Sequence, residues 1–84
     1  MTEKEIKEKA ELIVEALTAL SMGREPNVLS GEVFKKLSAH QNYTQIRDAY
    51  IEYLKSFDGK VDTADDIKKM FDFRLEIVSL FDAI

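Results

Sequence analysis

Apolar residues recur along this chain at helical spacing. Between residues 2 and 22, Ile6, Ala10, Ile13, Leu17 and Leu20 fall at alternating four- and three-residue steps, the seam of a helix buried on one side. Thr2 and Glu5 form a capping-box pattern at its start, while Gly23 and Pro26 mark its end. Glu3 with Lys7 and Glu5 with Lys9 are four residues apart in the favourable order, so the charged face reads as solvated surface. Ser30, with Glu32 in the following turn, predicts the start of a short second helix that buries Val33, Phe34 and Leu37. Asn42 with Gln45 repeats the capping logic and opens a third helix, whose inner face is Tyr43, Ile46, Tyr50, Tyr53 and Phe57, supported by Leu54. The turn signal Phe57-Asp58-Gly59-Lys60 ends it, and Thr63 with Asp66 caps a fourth.

The fourth helix carries more apolar residues than one stripe can hold. One stripe runs through Ile67, Met70, Phe71, Val78 and Phe81, a second through Phe73, Ile77, Leu80 and Ile84. With no strand-like alternation anywhere, the pattern predicts an all-α fold. It is a compact antiparallel bundle of four helices, three long and one short, over about residues 3–22, 31–40, 43–57 and 64–83. No composition shift, repeat or linker divides the chain, so residues 1–84 read as one domain. The first and third helices each have a single seam and together can cover the stripe through Ile67, Phe71, Val78 and Phe81. Phe73, Ile77, Leu80 and Ile84 are then expected to face a partner. Arg74, the single cation within that apolar segment, is expected to snorkel from the core edge or to pair across the interface. The row Tyr43, Tyr50, Tyr53 and Phe57 reads as core with hydroxyls reaching solvent or as a ligand-stacking or partner-binding strip, Tyr43 and Tyr50 being the members expected to reach a partner, since tyrosine combines a large apolar area with a polar tip.

Composition narrows the function classes. A net charge of −4, with acids spread along the chain, lacks the basic stripe of a nucleic-acid binder. There is no cysteine and one histidine, His40, which excludes disulfide frameworks, cysteine zinc sites and histidine pairs. Asp65 and Asp66 are adjacent on a helix and do not face each other, so they cannot share a proton as a catalytic dyad. No glycine-rich phosphate loop or nucleophile motif is present, and the expectation is a non-enzyme without cofactor. No run is long and apolar enough to span a bilayer and the start is charged, so a cytoplasmic protein is expected.

One loop offers alternative chemistry. Residues 57–65 resemble the middle of an EF-hand calcium loop: with Gly59 at the sharp turn, Asp58, Asp62 and Asp65 occupy ligand positions. Leu54 and Ser56 then stand where further ligands belong, and no paired second loop exists, so a plain turn is the expectation and calcium binding the alternative. In size, acidity and helicity the chain is similar to small bacterial, plasmid or phage accessory proteins, helical bacteriocin-immunity proteins among them, although no motif ties it to one family. That analogy predicts an adaptor, inhibitor or immunity-type module that binds another protein, with a homodimer through the C-terminal helix as its physical form.

Overall fold

The computed structural model describes residues 2–56 and 64–83. Helix α1 spans Glu3–Met22, and a 3-10 turn at Val28–Ser30 leads into α2 at Gly31–Ser38. Helices α3 and α4 span Tyr43–Lys55 and Ala64–Asp82. The four-helix expectation holds, with α2 and α3 each ending two residues short of the reading from periodicity. The helices pack into a bundle with extents of 35 × 28 × 23 Å. Helix α4 lies between α1 and α3, and α2 closes against α1. Its direction is fixed by end-to-end contacts: Lys9, early in α1, pairs with Asp82 at the end of α4, and Asn42, just before α3, reaches the Leu80 carbonyl. Helix α4 therefore runs antiparallel to both neighbours.

The ends of α1 obey local rules. Thr2 Oγ1 accepts from the Glu5 N–H at 3.2 Å and donates to the Glu5 carboxylate at 3.1 Å, so the box closes through side chains. Gly23 adopts φ 64°, and Arg24 N–H then reaches back to the Ala19 carbonyl at 3.0 Å, the geometry of a Schellman stop. The core comprises Ile6, Ala10, Ile13, Ala16 and Leu17 of α1, Leu37 of α2, Ile46 of α3, and Phe73, Ile77, Val78 and Phe81 of α4.

The two inner caps differ from expectation. Ser30 makes no side-chain cap, because α2 grows directly out of the 3-10 turn and Asn27 supplies the cap instead, its Oδ1 accepting from the Ser30 N–H at 2.9 Å. The Ser30 hydroxyl is left fully buried without a hydrogen-bond partner among the described residues. Such an orphan costs about 1–3 kcal/mol. Ser30→Ala is accordingly expected to leave stability unchanged or raise it by about 1 kcal/mol, measured as the urea unfolding free energy. A loss of more than about 1 kcal/mol would show that the hydroxyl has a partner in solution. Asn42 likewise makes no cap to its own helix and is used elsewhere.

Candidate functional site

The residues expected to face a partner are drawn inward. Phe73 is 9 % exposed and Ile77 0 %, both inside the core. Leu80 is half-buried against it, and Ile84 lies outside the described residues. The expectation of an exposed interface is therefore corrected for Phe73 and Ile77, whereas Leu80 keeps part of its surface open. The reason is that α1 and α3 flank α4 from two sides, and the tyrosines of α3 close over the stripe. The Tyr53 ring stacks on Phe73 at 4.3 Å between centroids, and Tyr50 leans on it at 6.0 Å. Tyr43 and Tyr50 are half-buried beside the core, with the Arg47 guanidinium 6.0 Å from the Tyr43 ring. Burial raises the Tyr53 hydroxyl above the usual phenol range. Arg74 is half-buried at the core edge, lining a cleft with Tyr50, Tyr53 and Met70. From the other stripe Val78 and Phe81 are covered, but Ile67 is exposed, as is Leu75 two turns further on.

One end of the bundle is closed by hydrogen bonds. The last carbonyls of a helix have no partners within it, and those of α4 are met by the α2–α3 connection. His40 Nε2 lies 2.7 Å from the Phe81 carbonyl, Asn42 Nδ2 donates to the Leu80 carbonyl at 2.8 Å, and Gln41 Nε2 to the Ala83 carbonyl at 3.4 Å. The Asn42 backbone N–H donates to His40 Nδ1 at 3.0 Å, so the ring proton belongs on Nε2, donating to Phe81. The His40 ring also stacks on Phe81 at 5.2 Å, and Lys9 pairs with Asp82 beside it. His40, just past the end of α2, thus meets the end carbonyls of α4.

At the opposite end, aliphatic side chains are exposed among the described residues. Val28 and Leu29 are 96 % and 80 % exposed, and Met22, Leu54 and Ile67 are exposed as well. By their places in the antiparallel bundle these belong to the same end: Met22 closes α1, Leu54 lies near the end of α3 and Ile67 near the start of α4, while the turn of Val28 and Leu29 packs on α1 and α2. The turn carrying Val28 and Leu29 is fixed in place. Arg24 grips Glu15 through two hydrogen bonds of 2.9 and 3.0 Å, and Glu15 Oε2 also accepts from the Asn27 N–H at 3.1 Å. The hydrogen bond from Arg24 holds the Glu15 carboxyl below its usual range, with the Asn27 N–H adding to the effect. A depressed folded pKa means that this tie is intact above the pKa of an unfolded glutamate and is lost as pH falls through the folded value. Nothing in local periodicity signals these two residues; the cue is two adjacent large aliphatics in a segment too short and too polar at its flanks to bury them.

Two grooves flank α4. Ala10, Val14, Tyr50, Leu54, Met70 and Arg74 line one between α1 and α3. The other, of about 720 Å³, runs between α3 and α4. Of the calcium alternative, Asp58 and Asp62 lie outside the described residues, and Asp65 sits exposed in the first turn of α4. Among the described residues no group of three or more His, Asp or Glu is placed to hold a metal ion, and no helix is long and apolar enough to cross a membrane. Compared with known protein families, curated proteins and solved structures, the chain matches none of them.

Proposed function

We propose that this chain is a small acidic protein-binding module, of the adaptor, inhibitor or immunity-type kind and without catalytic chemistry, whose apolar end docks a second copy of itself. The observation that carries this reading is the pair Val28 and Leu29, 96 % and 80 % exposed on a turn tied to α1 by hydrogen bonds. An aliphatic side chain contributes about 1.5–3 kcal/mol when fully buried, and the Glu15–Arg24–Asn27 hydrogen bonds hold the turn that presents this pair. Met22, Leu54 and Ile67 are exposed at the same end of the bundle. A patch shared by both copies is what a two-fold dimer requires. The C-terminal helix then contributes through Ile67 at its start, and not through Phe73 and Ile77.

Sedimentation velocity across the micromolar range tests this. The native chain is expected to move from the 9.6 kDa species toward twice that mass as concentration rises. The double variant Val28→Asp/Leu29→Asp is expected to stay monomeric with an unchanged unfolding midpoint, since both side chains are exposed in the monomer. A native chain that remains at 9.6 kDa throughout, or a double variant that associates equally well, contradicts the reading.

A further inference from the structure

The groove between α3 and α4 lies on the flank of α4 that carries Asp72 and Glu76 and takes no part in the apolar end. Its floor is Ala49, Tyr53, Phe73 and Leu80, and its rims are Asp48 and Glu52 on α3 and Asp72 and Glu76 on α4. Each rim pair is spaced four residues apart, so the carboxylates stand one above the other along two antiparallel ridges. Lys69 is the one cation among the lining residues, so the groove holds most of the chain's net charge of −4. Asp48 touches its neighbour Arg47 at 3.4 Å, an exposed contact, and such pairs contribute little. Among the described residues, Glu52, Asp72 and Glu76 form no ion pair within the chain.

We infer that this groove binds a cationic amphipathic helix of another protein. An apolar floor between two acidic ridges matches a helix with an apolar stripe flanked by lysine or arginine, the helix-in-groove mode of recognition. Apolar side chains of the partner would rest on Tyr53 and Leu80, and its cations would meet the ridges on either side. Opposed charge of this kind sets orientation and association rate as well as affinity. The inference does not depend on self-association, because the ridge residues and the Val28–Leu29 turn are separate surfaces.

The test is calorimetric titration of the Val28→Asp/Leu29→Asp chain with three synthetic peptides. One is a lysine/leucine amphipathic helix, one has the same composition scrambled to abolish the stripe, and one has glutamate replacing lysine. The expected result is saturable one-to-one binding of the first peptide alone, weakened about tenfold or more by Glu52→Gln/Glu76→Gln. It should be retained in Glu8→Gln/Glu25→Gln, which removes equal charge from exposed positions elsewhere. No saturable binding, equal binding of the scrambled peptide, or equal loss in both double variants would overturn the proposal, the last two by showing attraction to net charge alone. The same peptides leave the self-association reading untouched, so the two can fail separately.

Discussion

Ile77→Ala is expected to lower the unfolding free energy by about 2–5 kcal/mol while leaving self-association of the folded protein unchanged. Ile77 is 0 % exposed at the middle of α4, between α1 and α3, so alanine leaves a cavity that neighbours on two sides cannot collapse into. Small domains have about 5–15 kcal/mol in total, so the loss is a large fraction of what holds the bundle together. Urea denaturation gives the free energy, and sedimentation of the remaining folded protein gives association. A side chain at a dimer interface would show the converse: near-normal monomer stability and lost association. The experiment therefore separates a core role for the stripe from the partner-facing role that the sequence alone favours.

Asn42→Ala is expected to cost about 1–2 kcal/mol and to fray the end of α4 specifically. Its side chain is the donor to the Leu80 carbonyl at 2.8 Å, so truncation leaves a partly buried acceptor without its partner. Asn42→Asp is expected to be worse than alanine although it is nearly isosteric. It replaces the donating amide with a carboxylate and sets a negative charge against the negative end of the α4 dipole. Amide hydrogen exchange should show the last turn of α4 losing protection in both variants while α1 keeps its own. Equal protection of α4 in the native chain and in Asn42→Asp would mean that the connection does not clamp the helix.

Much of the fold is legible in the sequence because it rests on local rules. Thr2 and Gly23 set the ends of α1 through contacts within five residues, and the four-three spacing of Ile6, Ala10, Ile13 and Leu17 marks the buried seam. Where the reading departs from the structure, a non-local partner decides. A helix with apolar residues on most of its circumference shows that it is central without showing from which sides it is covered. Helix α3 approaches over Phe73 and Leu80, and Ile67 stays open while Val78 and Phe81 are covered, so the stripe expected inside is divided and the one expected outside is drawn in. Ser30 and Asn42 fit the composition of caps, yet a 3-10 turn displaces the first and the end of α4 recruits the second. The same distinction accounts for the candidate sites. Val28 and Leu29 are ordinary core residue types, exposed here on a 3-10 turn that Asn27 caps and Glu15 ties to α1. The acidic ridges escape a reading along the chain, because their alignment over an apolar floor depends on the antiparallel packing of α3 on α4.

The two ends of this bundle are therefore unlike: one has its polar groups closed by His40, Gln41 and Asn42, and the other presents aliphatic side chains to solvent. The most direct test of where the protein meets its second copy is methyl NMR followed through dilution from the associated to the monomeric state. Shifts are expected at Met22, Val28, Leu29, Leu54 and Ile67, with Ile13, Ile46 and Ile77 unmoved. Shifts centred on Ile77 and Leu80, or no shifts at any methyl, would contradict the account.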